Sequence, residues 1–576
     1  MKATPKPHVT TTPTFWSDEV TLSFDPLAGG AHVTAVTGDN VMVGWSAGND
    51  MFGFQLNPQG SFVTGNLLAD VDNTLVVPLS APQFVQQSDG SLIAEYRQTN
   101  PILTGSESDV MWHIFNTPET NNATPIAGSG QSETFQDATA TASGGSAVVF
   151  ETFQGGRFFQ NLQFVNDNGT KSVGVILIQP VVPSASQSQL DPTIAGLSNG
   201  NVALAYQSFT PGAAGVPDER DIRLHIYTPA GGDVAQGVFG SHEVIVSAAG
   251  LNALLPDMVV TNGGTLNTTS DDQIVVAWQD NNGIEFRRFT SERGIPLDQA
   301  PHTIAGSVNG LVPHVAALND GGFIVEWGQA FGQESDGSAD FDLVLQRFDK
   351  DGNAVGNQVI IDNPGDQGPF GVSLATLQDG RVIVTFNNET GDATNLTTLD
   401  YVILDPRNQT INGTGADDTI VGRQDASTIN GLDGADNLTG MKANDALNGG
   451  AGADRLTGGL GKDILFGGAD ADVFDFNSIR ESKGRAPDVI KDFHHAQGDK
   501  IDLSDIDANT KVDGLQGFHF IGAHDFHHKA GELHFVKEHG HVLVEGDVDG
   551  NGRADFRLDV QHVSHLTAND FFLTQT

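Results

Sequence analysis

The chain has 576 residues, of which 38% are hydrophobic and 69 are glycine, and its formal net charge is −44. The length predicts two or three domains, and abundant glycine with few charged residues favours short strands over long helices. Such acidity disfavours nucleic acid and anionic membrane partners and attracts divalent cations, although solubility alone explains diffuse acidity equally well. The chain contains no cysteine, so disulfides and thiolate metal sites are excluded.

No apolar run reaches the roughly 18 residues of a membrane helix, so membrane insertion is not expected. The N-terminal sequence MKATPKPHVTTTPTFW lacks the apolar stretch of a cleavable signal peptide. We expect residues 1–13 to form a flexible segment. If the protein is exported, its address is expected elsewhere in the chain.

The first 405 residues contain a unit that recurs seven times. In each copy a short polar turn precedes a five-residue, largely apolar run that ends in an aromatic residue. Turns such as SDGS, SNGN and QDGR supply the positive φ angles of tight hairpins, and aromatic and β-branched residues suit buried strands. The seven runs are Val41 to Trp45, Leu92 to Tyr96, Ser146 to Phe150, Val202 to Tyr206, Ile274 to Trp278, Phe323 to Trp327 and Val382 to Phe386.

Each unit has the turns and runs of a small antiparallel sheet of about four strands. A sheet of this size cannot bury both faces alone, and radial packing of several sheets solves that problem. We therefore predict an all-β protein with a seven-bladed β-propeller over residues 14–405. The segment from Glu19 to Phe24 is expected to supply the strand that closes the ring. An array of β-sandwiches is the alternative.

From Gly413 onward the repeat period drops to nine. An aspartate follows each repeating glycine after five residues, except at Ser427, and a large apolar residue follows after seven. The copies GGAGADRLT and GGLGKDILF match the glycine-rich repeat of a parallel β-roll, which we predict over residues 406–476. The repeating glycines are Gly413, Gly422, Gly431, Gly440, Gly449, Gly458 and Gly467.

The nonapeptides also predict several bound Ca²⁺ ions. Two nonapeptides make one coil, so aspartates two repeats apart should stack at about the 4.8 Å spacing of strands. Stacked carboxylates repel one another, whereas Ca²⁺ between them gains carboxylate and turn-carbonyl ligands. Ser427 breaks the second edge, and the degenerate copies GRQDASTIN and GMKANDALN put full occupancy in doubt. The predicted ligands are Asp418, Asp436, Asp454 and Asp472 along one edge and Asp445 and Asp463 along the other.

The segments after the roll carry a family resemblance. ADVFDF, DVIKDFHHAQGDKIDLSDIDA, AGELHF, DVDGNGRADFRLDV and HLTANDFFL resemble the C-terminal domain of the serralysin family, over about residues 407–576. In that family the domain follows RTX (haemolysin-type) calcium-binding repeats and carries the uncleaved signal for type I secretion from Gram-negative bacteria. The resemblance implies an extracellular protein, a type I exporter as partner, and a serralysin-like domain over residues 477–576.

The last residues fit this resemblance, but the protease of the family is missing. Asp570, Phe571, Phe572 and Leu573 look like the acidic-then-apolar export terminus, and an edge strand that caps the roll is compatible with that function. Zinc proteases of the family need H-E-x-x-H, and the only His-Glu pair here, His242-Glu243, has no second histidine after it. We expect a different cargo on the same export module.

Two features of the tail suggest further metal sites. Asp547, Asp549, Asn551 and Asp555 alternate as D-x-D-x-N-x-x-x-D, with Arg553 placed to offer a carbonyl, which resembles an EF-hand calcium loop without its final glutamate. An acidic hairpin turn is the alternative. Eleven of the 18 histidines also follow residue 493. They allow a transition-metal site, although a solvated surface is the favoured interpretation.

The function of the propeller is less well defined by the sequence. Gly196 to Gly200 fits the G-x-S-x-G nucleophile elbow, but it aligns with the hairpin turns of the other repeats and is interpreted as a turn. Glu95, Glu151 and Glu326 either line a central channel or face solvent between blades. The favoured hypothesis is a binding module (an adhesin, lectin or matrix protein) for an extracellular polysaccharide or cell-surface glycan. The alternative is a polysaccharide hydrolase or lyase that uses channel carboxylates.

Overall fold

The computed structural model separates the chain into two compact units, residues 1–406 and 407–576. Almost all of the second unit is described, and the first unit is described apart from its N-terminus and a set of connecting segments. No described helix has the length and hydropathy needed to cross a membrane. The structure describes residues 14–573 except 16–19, 23–31, 37–39, 48–49, 57–61, 65–82, 87–91, 100–107, 115–123, 128–132, 143, 155, 167–169, 173, 179–186, 213–217, 236–242, 262–271, 334–338, 362–371, 378–379, 390–396, 408–409, 485 and 539.

The first unit consists of seven antiparallel sheets whose strands follow one another in chain order. The first three are β3 (His32–Val36), β4 (Asn40–Ala47), β5 (Asp50–Leu56) and β6 (Phe62–Thr64); β7 (Gln83–Gln86), β8 (Leu92–Thr99), β9 (Ser108–Ile114) and β10 (Thr124–Ala127); and β11 (Glu133–Ala140), β12 (Ser146–Gln154), β13 (Arg157–Val165) and β14 (Ile176–Leu177).

The next three sheets repeat this pattern, and the seventh borrows strands from the N-terminus. They are β15 (Ser188–Gly196), β16 (Val202–Thr210), β17 (Glu219–Tyr227) and β18 (Val244–Ile245); β19 (Leu254–Thr261), β20 (Gln273–Asp280), β21 (Gly283–Thr290) and β22 (His302–Thr303); and β23 (Leu311–Ala317), β24 (Phe323–Gln333), β25 (Ala339–Phe348) and β26 (Ala354–Ile361). The seventh contains β27 (Ser373–Thr376), β28 (Val382–Glu389) and β29 (Thr397–Asp405) with β1 (Thr14–Phe15) and β2 (Val20–Leu22).

The seven sheets close into a ring. The first strand of each sheet contacts the first strands of its two neighbours, and the contact between β27 and β3 completes the circle. The short strands β1 and β2 both pair antiparallel with β29, so the N-terminus supplies the outer edge of the last blade. The predicted seven-bladed β-propeller and its closing strand are confirmed, and the sandwich array is wrong.

The seven aromatic-ended runs form the second strand of each blade. These strands pack against neighbouring blades on both faces, which is why their sequences are continuously apolar instead of alternating. Trp278 and Trp327 are fully buried, as are Tyr206 and Phe386. The G-x-S-x-G segment is the turn between β15 and β16, where the N–H of Gly200 donates to the carbonyl of Leu197 at 2.9 Å. No helix follows it, so the nucleophile-elbow interpretation is excluded.

The second unit is built from two sheets, in which the strands of the nonapeptides run parallel and pair residue i with residue i+18, whereas β41, β42 and β43 pair antiparallel. One contains β30 (Thr410–Asn412), β32 (Thr428–Asp433), β34 (Ala446–Ala451), β36 (Ile464–Ala469), β38 (Asp488–Ile490), β43 (Phe556–Gln561), β42 (His541–Asp547), β41 (Glu532–Glu538) and β40 (His519–Phe520). The other contains β31 (Thr419–Val421), β33 (Asn437–Thr439), β35 (Arg455–Thr457), β37 (Val473–Asp475), β39 (Lys500–Asp502) and β44 (Phe571–Phe572).

This arrangement is the predicted parallel β-roll, with one coil for every two nonapeptides. The repeating apolar residues, among them Leu438, Leu447 and Leu456, are fully buried between the two sheets. Both sheets continue beyond the last nonapeptide, and one hydrophobic core extends from Ile420 to Phe571. The C-terminal strand β44 pairs parallel with β39 and forms the edge of its sheet.

Removal of residues 1–24 should destabilise the propeller, because β29 would lose the partners β1 and β2 on its outer side. Several ladder hydrogen bonds of about 1 kcal/mol each would be lost, which corresponds to a fall of about 5 °C in melting temperature. Scanning calorimetry of the full-length and shortened chains checks this. Removal of residues 1–12, which precede β1, is the control, and equal melting of both shortened proteins would contradict the closure described here.

Candidate functional site

The aspartates of the nonapeptides form two stacks along the roll. Within a stack, the Oδ1 atom of each aspartate accepts a hydrogen bond from the backbone N–H of the residue one coil before it. Asp436 accepts from Asp418 at 2.8 Å, and Asp454 accepts from Asp436 at 2.8 Å. On the other edge Asp463 accepts from Asp445 at 2.8 Å. The repeat therefore fixes each carboxylate by one oxygen to the coil beneath it.

The second carboxylate oxygens have no such partner. Among the described residues, these Oδ2 atoms are buried and make no hydrogen bond. A buried, unpaired carboxylate oxygen is costly unless a cation satisfies it. The six aspartates with an orphaned Oδ2 atom are Asp436, Asp445, Asp454, Asp463, Asp472 and Asp488.

The repeating glycine of each nonapeptide makes room for this oxygen. A Cβ atom on Gly449 would lie 2.2 Å from the Oδ2 atom of Asp454, and one on Gly431 would lie 2.1 Å from that of Asp436. Both distances are shorter than real Cβ contacts. Glycine is therefore required here because the carboxylate occupies the space that any side chain would take.

Stacking and burial disfavour the charged form of these carboxyl groups. Burial raises the pKa of Asp454 and Asp463 to about 6, and that of Asp445 and Asp472 to about 7. Asp488 is raised to about 8 by burial, with the charge of Asp463 adding to the effect. The hydrogen bonds to Oδ1 act in the opposite direction. The folded roll thus holds a column of carboxylates that repel one another unless a cation lies among them.

The structure adds two residues to the stacks that the sequence interpretation missed. The Oδ1 atom of Asp488 accepts from the N–H of Asp463 at 2.8 Å, and that of Asp499 accepts from Asp472 at 3.2 Å. They lie 25 and 27 residues after those partners, so the nine-residue period does not reveal them. Each nevertheless precedes a buried isoleucine by two residues, as in the nonapeptides, and this signal would have identified them.

The beginning of each stack departs from this pattern. Asp418 is only partly buried, and its Oδ2 atom accepts from the N–H and hydroxyl of Thr414 at 2.6 and 2.9 Å. Ser427 keeps the backbone bond to Asp445 at 2.6 Å but has no carboxylate, and its hydroxyl accepts from the N–H of Arg423 at 2.9 Å. Fewer free oxygens are therefore available at the first coil.

The acidic loop of the tail connects β42 to β43. Carboxylate oxygens of Asp547, Asp549 and Asp555 lie within 4.8 Å of one another. The carboxylate of Asp547 also accepts hydrogen bonds from the N–H groups of Gly550 and Gly552 at 2.6 and 2.7 Å. The structure thus brings the predicted loop together, and it supports both a cation site and an acidic hairpin turn.

The remaining residues of this loop are engaged within it. The side-chain oxygen of Asn551 accepts from the N–H of Arg553 at 2.8 Å, and its amide donates to Asp549 at 2.8 Å. Within the described residues, the three aspartates are the one group of three or more histidine or acidic side chains close enough to share an ion. Histidines such as His495 and His534 instead contact single carboxylates, Asp570 at 2.8 Å and Glu545 at 3.1 Å.

The propeller has a central channel of about 410 Å³ with a ring of polar residues. Each first strand carries a polar residue opposite the fourth residue of the aromatic-ended run. The side chain of His32 lies outside the described part of the structure, and the other six residues line the channel. The seven positions are His32, Gln83, Asp137, Thr193, Asp257, His314 and Ser373.

Several members of this ring form hydrogen bonds between neighbouring blades. Asp137 accepts from the N–H of Ile194 at 2.8 Å, and Asp257 accepts from the N–H of Val315 at 2.8 Å. The hydroxyl of Thr193 lies 3.1 Å from Asp137 and 3.4 Å from Asp257. Burial raises the pKa of Asp137 to about 6, and the charge of Asp257 adds to this. The ring is therefore part of the blade-to-blade structure as well as the channel wall.

The three predicted channel carboxylates do not line the channel as a set. The side chain of Glu95 lies outside the described part of the structure. Glu151 is half-buried, accepts from the amide of Gln160 at 3.1 Å, and has a pKa raised to about 7 by burial. Glu326 is fully buried behind His314, its cross-strand partner, so it neither lines the channel nor faces solvent. The sequence interpretation missed the ring because its residues differ in type from blade to blade.

Comparisons with known proteins identify the second unit. Residues 408–573 match the family model described as peptidase M10 serralysin C terminal. The second unit is a serralysin C-terminal domain. No curated protein matches the chain.

Solved structures similar to the chain have low identity. The polysaccharide lyase Uly1 is 10% identical, with 68% of this chain and 100% of that chain covered and a TM-score of 0.43. A protein of unknown function from Dyadobacter fermentans is 12% identical, with 57% and 94% covered and a TM-score of 0.37. The arabinofuranosidase of Fusarium graminearum is 9% identical, with 69% and 97% covered and a TM-score of 0.34. At these scores the likenesses carry no argument, and the propeller assignment rests on the sheet topology.

The serralysin C-terminal domain indicates a secreted protein of the RTX type. It covers the nonapeptides, both aspartate stacks and the acidic loop. The first unit carries the His242-Glu243 pair, and here Glu243 accepts hydrogen bonds from Tyr206 at 2.9 Å and Arg223 at 3.1 Å. Glu243 is therefore engaged in hydrogen bonds with side chains of the propeller.

Replacement of Gly449 by alanine should destabilise the serralysin C-terminal domain and weaken its calcium binding, because the new Cβ would collide with the Oδ2 atom of Asp454. Such a steric and backbone conflict costs about 1–3 kcal/mol. Gly415→Ala is the matched control within the roll, since a Cβ there meets nothing within 4 Å. Calcium titration and thermal unfolding of both variants check this, and equal effects would contradict the steric explanation.

Proposed function

We propose that the protein is a secreted, calcium-binding RTX protein whose β-roll folds around extracellular Ca²⁺ and whose propeller acts as a binding module. The observation that carries the calcium proposal is the six buried Oδ2 atoms without hydrogen-bond partners, three in each of the two stacks. Carboxylates and turn carbonyls are the ligands that Ca²⁺ prefers. The stacked aspartates fit this ion, and neither sulfur nor a histidine cluster competes for it among the described residues.

The residues proposed to hold the ions are the predicted Asp418, Asp436, Asp445, Asp454, Asp463 and Asp472, with Asp488 and Asp499 extending the two stacks. The acidic loop of Asp547, Asp549, Asn551 and Asp555 is a further candidate. Bound Ca²⁺ supplies positive charge between carboxylates that otherwise repel. Its binding free energy thereby becomes folding free energy of the roll.

This coupling suits type I export from a Gram-negative cell, which we propose as the route. Where free Ca²⁺ is scarce, repulsion within the stacks disfavours the folded roll, and an unfolded tail can pass through an exporter. Outside the cell, Ca²⁺ folds it. The C-terminal residues Phe571 and Phe572 form the edge strand of the roll, so the proposed export terminus becomes structured together with the calcium sites.

The propeller is proposed to recognise an extracellular polysaccharide or cell-surface glycan. A rigid ring with seven sets of loops around a channel of this size is suited to binding. The ring carboxylates Asp137 and Asp257 are engaged in bonds between blades, which leaves them poorly suited to act as a free catalytic pair. This favours the binding module over the hydrolase or lyase.

Removal of calcium should lower the melting temperature of the C-terminal domain by about 10 °C or more, since several ions each contribute a few kcal/mol of stability. The measurement is calorimetry of the full chain with calcium and with a chelator, after metal analysis of both samples. The propeller transition serves as internal control and should move little. Unchanged melting of the metal-free protein would overturn the calcium proposal.

Asp454→Asn should weaken calcium binding more than Asp418→Asn. Asp454 has neighbours above and below it in the stack and an orphaned Oδ2 atom, whereas the Oδ2 atom of Asp418 already accepts bonds from Thr414. We expect a loss of about tenfold or more for Asp454 and a clearly smaller one for Asp418. Calcium titration by calorimetry measures both, and equal losses would argue against shared sites.

The binding module is tested by incubating the calcium-loaded protein with a panel of bacterial and plant polysaccharides. Retention on the glycan and the length of its chains are scored together. We expect retention without shortening. Shortened chains would make the protein an enzyme, and replacement of the channel-lining Asp137, Asp191 and Asp257 would then test whether the chemistry lies in the channel.

A further inference from the structure

The channel wall contains strained backbone at the same place in three consecutive blades. Thr193, Asp257 and His314 each follow a proline and a residue with a left-handed φ, at a bulge in the first strand. Leucine and β-branched valine rarely adopt this conformation, so the surrounding fold must impose it. The bulges direct the next side chain into the channel. The three strained residues are Asp191 at 47°, Leu255 at 49° and Val312 at 47°.

The side chains presented there are predominantly acidic. The ionisable residues that line the channel are Asp137, Asp191, Asp257 and His314, and no lysine or arginine is among its described lining residues. Asp191 is exposed and makes no hydrogen bond to any described residue. Arg220 acts electrostatically on Asp191 without lining the channel, and its guanidinium lies 4.6 Å from the ring centre of Phe209.

A buried glutamate without hydrogen-bond partners lies behind the wall. Glu326 is fully buried, and neither of its oxygens has a hydrogen-bond partner among the described residues. It lies directly opposite His314, so both side chains project from the same face of the blade. Burial raises the pKa of Glu326 to about 8, whereas the charge of His314 lowers it. An unpartnered carboxylate at this depth favours any cation that enters the channel.

Two blades carry exposed aromatic rings towards the same end of the propeller. Phe153 and Phe331 lie near the ends of the second strands of two blades, with 53% and 52% of their surface exposed. Phe158 pairs with Phe153 at a centroid distance of 4.8 Å. Asp137 pairs with Val149, four residues before Phe153, and His314 pairs with Glu326, five residues before Phe331. Both phenylalanines therefore lie beyond the ring residues in the same direction along the second strand of their blade. Exposed aromatic faces attract cations and cover the apolar faces of ligands.

We propose that this channel mouth binds an amino-sugar polymer through its protonated amine groups. The proposal rests on the propeller being the binding module and names its ligand class. Uronate-containing and sulfated glycans would be repelled by Asp191 and Asp257. An amine on a sugar ring places a cation near these carboxylates while the ring packs against exposed phenylalanine. The volume of about 410 Å³ accommodates one or two sugar units at a time.

The test compares the tetramer of β-1,4-linked glucosamine with its N-acetylated counterpart by isothermal titration of the calcium-loaded full chain at neutral pH. We expect one glucosamine tetramer per chain, with affinity reduced by added salt, and binding of the acetylated tetramer at least about tenfold weaker. Acetylation removes the charge and keeps the sugar ring. Spermidine, which carries amines but no sugar ring, is titrated as a third ligand.

Variants locate the site. Asp191→Asn should weaken binding of the glucosamine tetramer by about tenfold, and Glu326→Gln should weaken it while leaving the melting temperature unchanged or higher. Asp351→Asn is the matched control, because it removes the same charge from an exposed turn between β25 and β26 outside the channel. Nonspecific attraction to an acidic protein would respond equally to Asp191→Asn and Asp351→Asn.

Equal binding of the two tetramers, equal effects of these variants, or no binding of the glucosamine tetramer would overturn the proposal. Spermidine binding as tight as the tetramer, with the same loss in Asp191→Asn, would reduce the site to a simple amine site and overturn its sugar specificity. Retention of another polysaccharide together with failure of the glucosamine tetramer would remove this ligand class and leave the binding module standing.

Discussion

The C-terminal domain depends on the burial of carboxylate oxygens that the protein itself does not satisfy. In six of the stacked aspartates, a backbone N–H fixes one oxygen and the other oxygen is buried without a donor among the described residues. The roll therefore holds its carboxylates in fixed positions where their negative charges repel one another. A two-sheet roll with one large apolar residue per strand has only a thin core to offset this charge. Under the proposed calcium binding, the stability of the fold depends on the cation, and the folding of the domain therefore depends on the calcium concentration around it.

The nine-residue period made most of this domain predictable. Glycine, aspartate and a large apolar residue recur in fixed order, and each has a separate physical cause: space for the Oδ2 atom, the charged ladder, and the core. Stack residues beyond the last nonapeptide could not be predicted from this period. Asp488 and Asp499 occupy the same structural position as Asp463 and Asp472, but loops between the coils change the spacing. Only the local pattern of aspartate two residues before isoleucine survives there.

The propeller was predictable for a different reason. Its second strands pack on both faces, so their apolar runs and preceding turns repeat clearly enough to count blades. The channel was not predictable, because the position that lines it accepts histidine, glutamine, aspartate, threonine or serine. What these residues share is a register position and, in several cases, a hydrogen bond to the next blade. Sequence patterns record residue type, whereas here the common property is geometric. Glu326 shows the same limit, since no sequence pattern indicates that it lies buried behind His314.

The two units use acidic residues in contrasting ways. In the channel, Asp137 has both oxygens bonded, to Gln83 and Ala138 on one side and to Thr193 and Ile194 on the other. Such a carboxylate needs no cation and serves the fold. In the roll, the stacked aspartates keep one oxygen free and need a cation. Glu326 resembles the roll in this respect, because both of its oxygens are buried without a donor among the described residues, whereas Asp191 is exposed to solvent. Unsatisfied carboxylates, and not acidity as such, therefore distinguish the places where this protein is prepared to bind positive charge.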